Sequence, residues 1–587
     1  MTAFASLRGA LSTREGWAGL LSSRRFVLVL VTIVVGALAL IPLFFLVWDS
    51  FKDVRIGNIF DPSLTNFTLK NFRDVAADPR AFMMLGNSFI FAFASMTVAF
   101  LFGGGIAFIV ERTNAPLRNV AYGLMFIPLI MPGMIKAVAW VLLLSPQMGL
   151  LNKLWFAISG SADPVFQAYS LPAMVWVEGL SMSPLTFLML GAALRTMDPS
   201  LEEAAYTAGS GRARVLFRIT LPLMTPALAG IGLLQFVRGL ETFEVPLLMG
   251  MPAGIPVFST QIYWIVREVS PPEYGIGFIY GLTVIVLAMA GLLLYQKMMG
   301  RAGQYATVTG KGYRPRLIDI GRWRWAATGF ILFFLFCAVI LPFLVLLYSS
   351  FLPFYQVPSA RAWSALTLQN YQELFTRPDI VMALKNTAIL SSIVSVGAVL
   401  MATMVSWMVV RLRTKASRIL DGLVFVPYAI PGIAMGFAFM IVFLSFPNPI
   451  YGTIWILVLC YFTSFLPTAT RFTHAGVAQI KAELEEASAV SGANLLTTLR
   501  RIVIPLMLPS LVAGALYIFL LTVKVMSAAA ILFTPKTIVV ATMLFQLWNQ
   551  GSIPQVGSLS VLIIMAGTIL TIVSRKLSQR RAIVAEV

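Results

Sequence analysis

Residues 201–228 read LEEAAYTAGSGRARVLFRITLPLMTPAL, and residues 484–511 read LEEASAVSGANLLTTLRRIVIPLMLPSL. The two stretches align without a gap, placing Glu203, Gly209 and Pro222 on Glu486, Gly492 and Pro505. A polar segment written twice at the same internal spacing marks a duplicated unit, and its flanks decide what kind of unit that is. Those flanks are apolar. Runs such as FVLVLVTIVVGALALIPLFFLVW, from Phe26 to Trp48, exceed the roughly 20 residues that carry a helix across a ~30 Å hydrocarbon core. Lipid offers backbone amides no partner, so a helix is the default spanning structure. Of the 587 residues, 59% are hydrophobic and 11% charged, with a mean hydropathy of +0.86, where a soluble domain carries about 25% charge. The chain is a membrane protein embedded in a lipid bilayer.

Twelve spans are expected, near residues 26–48, 86–110, 120–144, 171–194, 223–247 and 275–298, then 326–349, 386–410, 420–445, 452–472, 507–530 and 557–574. The repeat extends beyond the opening pair. IPLFFLVWDSF from Ile41 is echoed by LPFLVLLYSSF from Leu341, and FIPLIMPG from Phe126 by FVPYAIPG from Phe425. The offsets fall from 300 and 299 to 283, so the first unit carries about 16 extra residues, placed around GLLNKLWFAISGSADPVFQ. The expected fold is an all-α polytopic membrane protein: residues 1–300 form one six-span unit, 301–325 a basic linker and 326–587 a second unit. An even number of spans makes both units enter the membrane in the same direction, which defines parallel repeats.

The net charge of +19 would suggest nucleic acid in a soluble protein, but here the basic residues sort by side. Arg8, Arg14, Arg24 and Arg25 precede the first span. Lys297, Arg301, Lys311, Arg314, Arg316, Arg322 and Arg324 surround the linker, and Arg575, Lys576, Arg580 and Arg581 close the chain. The positive-inside rule puts all three clusters, and both termini, in the cytoplasm. Residues 49–85 balance Lys52, Arg55, Lys70, Arg73 and Arg80 with five Asp, as an outer loop does. Topogenesis accounts for the charge and nucleic acid is not needed. Cys337 and Cys460 lie in apolar runs and His474 is the only histidine, so neither a disulfide framework nor a histidine-rich metal site is available. Ala37-Leu38-Ala39 resembles a leader-cleavage site, but the apolar run continues to Trp48, which favours an uncleaved span.

Both copies of the polar segment fall between the fourth and fifth spans of their unit, on the cytoplasmic side. In the first, Asp198-Pro199 leads to Ser200, which with Glu203 makes a capping box, and Gly209 is placed to stop the helix in the left-handed region. A second short helix carrying Arg212, Arg214 and Arg218 runs towards Leu221-Pro222. In the second copy Glu483 replaces the capping Ser, so the start is weaker. A single copy could be a surface helix tidying a loop; two copies at identical spacing describe a docking handle.

The pattern Glu-Ala-Ala, three residues, Gly, nine residues, Ile-x-Leu-Pro resembles the EAA loop of permease subunits of bacterial ABC importers. The first copy matches throughout, while the second has Ser488 for the last Ala and Ile504 for Leu. Two loops in one chain, with TVTGKGYRP and FEVPLLMG, look most like the fused ferric-iron permeases, over almost the whole length. The resemblance implies a type I ABC importer fold in the bacterial inner membrane. It also implies two ATPase subunits, which carry the ATP and magnesium, and a periplasmic solute-binding protein. By position it assigns ATPase coupling to Glu202, Glu203, Ala204, Ala205 and Gly209, and to Glu485, Glu486, Ala487 and Gly492. The chain itself has no phosphate loop: Gly310-Lys311-Gly312 lacks the earlier Gly and the following Ser/Thr. It is expected to be no enzyme and to bind no cofactor.

Charges inside spans are expensive and usually face a cavity or a partner. Glu178 lies in the fourth span, and Arg238, Glu241 and Glu244 share one helical face of the fifth by their i, i+3, i+6 spacing. Lys524 occupies the position of Glu241 in the second unit, where an ion pair could link the halves. These residues either line the path or brace the fifth spans internally. The pairs Pro128/Pro132 and Pro427/Pro431 interrupt the third spans, as a gate or as a packing kink, and Gly103-Gly104-Gly105 suits close helix contact. Iron-type members carry an Arg-Glu-Leu-Ser-like stretch where this chain reads KVMS from Lys524, which keeps organic solutes (phosphorylated compounds, polyamines, thiamine) open beside ferric iron. Ferric ion prefers oxygen ligands, so the scarcity of His and Cys does not oppose it. An ion-coupled carrier could also use two parallel halves, but has no use for twin ATPase handles. No motif supports a membrane-embedded enzyme.

Overall fold

The computed structural model describes residues 14–53, 66–161, 163–197, 200–302, 317–446 and 448–585; the side chains of residues 14–25, 196, 212, 213, 299–302, 495 and 573–585 fall outside it. Arg8, Arg55, Lys311, Arg314, Arg316, Asp198, Pro199 and the Gly310-Lys311-Gly312 triplet therefore lie outside the described residues. So do the side chains of Arg14, Arg24, Arg25, Arg212, Arg301, Arg575, Lys576, Arg580 and Arg581.

Ten helices among the described residues are long and apolar enough to cross a membrane. In the first half they include Arg14–Ser50, Pro79–Arg112, Leu171–Thr196, Leu221–Glu241 and Tyr274–Ala302. Their counterparts in the second are Trp323–Ser350, Pro378–Leu412, Ile454–Gln479, Ile504–Lys524 and Ile553–Ala585. The third spans are interrupted where the proline pairs lie: Arg118–Ile130 meets Gly133–Leu144 at 91°, and Lys415–Ala429 meets Gly432–Leu444 at 105°. Counting each pair as one gives twelve. The cause is local. Met131 and Ile430 precede Pro132 and Pro431 and are forced into extended backbone, with ψ of 123° and 115°. Pro128 and Pro427 sit in the first turn of the preceding short helix, where a missing N–H costs nothing.

The fifth spans also end earlier than expected. Thr242 and Val525 turn extended, with ψ of 133° and 123°, so the helices stop at Glu241 and Lys524. Short helical segments follow and return into the bundle, including Ser527–Leu532. At their other ends the fifth spans continue smoothly from the docking segments through one widened turn. The amides of Leu221 and Ile504 reach back to the carbonyls of Leu216 and Leu499, one residue before Pro222 and Pro505. A widened turn ahead of a proline accommodates the absent N–H without breaking the rod.

The duplication is visible in side-chain bonds. Asn71 donates to the Ser50 and Lys52 carbonyls at 3.1 and 2.8 Å, and Asn370 to those of Ser350 and Leu352 at 2.9 and 2.7 Å. Each half's first span packs on the third-span pair of the other, which locks the halves together. Phe45 meets Phe446 at this junction, and Phe102 of the first half's second span stacks on Phe330 of the second half's first, with ring centroids 5.7 and 5.4 Å apart. Tyr355, in the loop after the second half's first span, donates to the carbonyls of Leu142 and Met148 in the first half, and burial raises its phenol pKa. The extra residues of the first half include the helix Leu150–Ser159, whose Asn152 donates to the Phe166 carbonyl and accepts from Phe166 N, both at 2.9 Å. Gly103 packs so tightly on the fourth span that a Cβ there would strike the Ser183 carbonyl oxygen.

Candidate coupling and translocation sites

The two copies of the repeated polar segment, expected to be docking handles, form helices Ser200–Thr207 and Ala482–Val490. Both end in the same cap. Gly209 and Gly492 have φ of +81°, a region disfavoured for side chains with a Cβ. Gly209 and Ser210 donate backward to Tyr206 and Ala205, at 3.0 and 2.9 Å. Gly492 and Ala493 donate to Ala489 and Ser488, at 3.0 and 3.1 Å. These paired bonds satisfy carbonyls that the helix end would leave free. As the sequence implies, no side chain caps the start of the second helix, where Lys481 precedes Ala482. The start of the first lies at the edge of the described residues.

Two adjacent glutamates in each segment take opposite roles. Glu202 turns inward: its Oε2 accepts from Arg112 at 3.2 Å and its Oε1 from Thr220 at 2.6 Å, while Arg112 also donates to the Leu194 carbonyl at 3.1 Å. The Arg112 guanidinium is 2% exposed. Glu485 repeats this: Arg411 donates to Oε1 at 2.8 Å, Trp407 Nε1 to Oε2 at 2.8 Å, and Arg411 also to the Ile480 carbonyl at 2.7 Å. Each clamp fastens its segment to the end of the second span. Beside the first, Arg195 at the end of the fourth span pairs with Glu111 at 2.9 Å. Glu203, Ala204 and Ala205, and Glu486 and Ala487, are left partly or fully exposed, and neither Glu203 nor Glu486 is ion-paired among the described residues.

Among the described residues, the first clamp has a cover that the second lacks. Residues leading into the second half run beside the end of the second span, where Ile318 N donates to the Arg112 carbonyl at 2.8 Å and Asn114 N to that of Ile318 at 3.3 Å. Asn114 completes the seam, donating to Asp319 at 2.8 Å and accepting from Ile320 N at 3.2 Å. Ile318 and Ile320 thereby wall a small cavity of about 150 Å³ against Arg112, Glu202 and Thr220. Arg411, with no such cover among the described residues, keeps 18% of its side chain exposed.

Between the halves lies a cavity of about 1010 Å³. Arg238, Glu241 and Glu244 reach it from the first half, and Pro427, Tyr428, Arg471, Tyr517 and Lys524 from the second. Two expectations need correction. Glu244 does not share a helical face with Arg238 and Glu241, because the helix ends at Glu241. Nor do Glu241 and Lys524 pair across the halves: Lys524 Nζ donates to the Leu129 carbonyl at 3.2 Å, and Glu244 Oε1 accepts from Met526 N at 3.2 Å. Interrupted helices free backbone groups, and these occupy the charges instead. Glu178 stands outside the cavity wall, accepting from Thr242 at 3.2 Å. Pro128, Pro132 and Pro431 mark the bends without reaching the wall. Two cations went unnoticed in the sequence: Lys136, buried on the bent third span beside Glu178 and Glu244, and Arg471 on the cavity wall. Each stands alone in an apolar run, and that isolation was the available signal.

The family model described as "Binding-protein-dependent transport system inner membrane component" matches residues 99–301 and again 396–584. The chain is 26% identical over 477 residues to the ferric transport system permease protein FbpB of Actinobacillus pleuropneumoniae, covering 79% of this chain and 67% of that one. It is also 26% identical over 443 residues to the putative ferric transport system permease protein FbpB 1 of Haemophilus influenzae, covering 74% and 68%. Among solved structures, it is similar to a bacterial ABC transporter involved in import of the acidic polysaccharide alginate. That match has 22% identity and a TM-score of 0.35, covering 42% of this chain and 88% of the other.

Proposed function

The chain belongs to the family of binding-protein-dependent transport system inner membrane components, and from this premise we infer that it is the fused permease of an ATP-driven importer of ferric iron. A periplasmic binding protein hands over the solute, and two ATPase subunits each grip one docking segment, through Glu203, Ala204 and Ala205 on one side and Glu486 and Ala487 on the other. Residues 1–300 and 326–587 act as the two six-span units, joined by the cytoplasmic linker 301–325, with both termini in the cytoplasm. The ferric assignment is supported by the names of two relatives matched over 79% and 74% of this chain.

The observation that carries the coupling role is the division of labour in each Glu-Glu pair: one carboxylate is clamped to the second span and its neighbour is left outward and unpaired. A segment held this way transmits force, since a pull on its outer face is delivered through the clamp to the second span and through the widened turn to the fifth. Nucleotide on the ATPases then shifts the cavity between its two openings through differential affinity for the two states. Glu202 and Glu485 are accordingly positioning groups and not contact groups.

The test is the double variant Glu203→Lys with Glu486→Lys. Both sites reach solvent, so the fold should persist, with an unchanged unfolding temperature. The expected outcome is loss of ATPase co-purification and of ATP-dependent uptake; retention of both would refute the coupling role.

A further inference from the structure

The cavity wall is electrostatically unbalanced. Arg238, from the first half, lies beside Tyr428, Tyr517 and Glu241. Arg471, from the second, stands over the same Tyr428, with its guanidinium carbon 5.2 Å from that ring centroid and 5.9 Å from the centroid of Phe425. Both arginines are exposed on the wall, and among the described residues neither has a carboxylate within 4.0 Å. The third cation on the wall, Lys524, faces Glu244, whose Oε1 is already taken by Met526 N. The wall therefore carries three cations against the two carboxylates Glu241 and Glu244, and counting Lys136 and Glu178 behind it leaves the same excess.

Unpaired guanidinium groups are costly inside a membrane and are retained where a mobile counter-charge visits them. A bare trivalent cation entering this cavity would meet net repulsion, and an anion net attraction. Guanidinium forks match the two-oxygen edge of a carboxylate or phosphate. We propose that Arg238 and Arg471, one from each half and converging on Tyr428, form an oxyanion site that binds the solute in transit. This rests on reading the cavity as the transport path and specifies the form of the cargo: an anionic solute, either free or as the oxygen shell of a ferric complex. Because the two arginines belong to different halves, the site exists only while the halves hold this separation, which ties solute release to their movement.

The test uses the full-length chain in lipid nanodiscs, with citrate, ferric citrate and the polyamine spermidine as probes and the unfolding temperature as readout. Citrate is expected to raise it and spermidine to leave it unmoved. Greater stabilisation by ferric citrate at equal citrate identifies the metal-bound form; greater stabilisation by citrate alone identifies a free anion. Arg238→Gln and Arg471→Gln should each weaken citrate binding about tenfold or more, the loss of one charge-assisted contact, while the surface variant Arg324→Gln changes nothing. Should a Gln variant fail to fold, Arg238→Lys and Arg471→Lys keep the charge, lose the fork and should still bind more weakly. Stabilisation by spermidine in place of citrate, or undiminished citrate binding in the variants, overturns the site. Radiolabelled iron uptake by the assembled importer separates the two readings. Citrate binding without iron uptake removes iron and keeps the oxyanion site; iron uptake without citrate binding does the reverse.

Discussion

Arg112→Ala should loosen the first docking segment far more than Arg411→Ala loosens the second. With Arg112 gone, Glu202 remains in a pocket where only Thr220 donates to it, and the Leu194 carbonyl loses its partner as well. Removing one member of a buried ion pair costs about 3–5 kcal/mol, because the other charge stays buried. In the second clamp Trp407 still donates to Glu485, and the arginine is already 18% exposed, so the loss is closer to that of one charged hydrogen bond, about 1.5–3 kcal/mol. These segments are short and open locally, so hydrogen exchange is the natural assay. Amides within 200–209 should exchange about a hundredfold faster or more in Arg112→Ala, and those within 482–492 about tenfold faster in Arg411→Ala. Replacing the whole pair by apolar groups, Arg112→Met with Glu202→Leu, should restore slow exchange, since no charge is then stranded. Equal acceleration at both segments, or none at the first, would refute the argument that cover and burial distinguish the clamps.

Gly103→Ala forces a methyl group into the backbone of the fourth span and should destabilise the protein by about 1–3 kcal/mol, read as a lower unfolding temperature. Gly86→Ala, with open space around the new methyl, is the control and should be neutral or better. Gly209→Ala and Gly492→Ala place a Cβ at φ of +81° and should cost about 1–2 kcal/mol each, with faster exchange confined to the last turn of the docking helices. Gly209→Asn should be milder, because Asn enters the left-handed region more readily.

Hydropathy and the repeat made the spans, the duplication and the two short helices with their glycine caps legible, because long apolar runs and a fixed Gly-Pro spacing are local signals. Where a helix stops inside the bilayer is not local. Thr242 and Val525 are unremarkable residues whose extended backbone is supported by tertiary bonds, such as Ser259 to the Thr242 carbonyl at 2.6 Å and Tyr461 to that of Val525 at 2.7 Å. Hence Glu244 was misplaced onto a helical face. The prolines announced the third-span interruptions, but not that the pieces meet near a right angle. Arg112 and Arg411 could have been found: they stand at the repeat offset of 299, each at the end of its second span. Lys136 and Arg471 have Met435 and Leu188 as repeat counterparts, so symmetry gave no help with them.

The segment that seals Arg112 consists of residues about 200 positions further along the chain, Ile318 to Ile320, so its placement has a consequence for biosynthesis. A ribosome making this protein finishes the 200–209 helix long before it reaches Ile318, and throughout that interval the Arg112–Glu202 pair waits without its roof. The cover over Arg112 closes only once the linker has been made through Ile320, ahead of the second unit's first span. A nascent chain that stops short of Ile318 therefore leaves this ion pair without the two isoleucines that wall it.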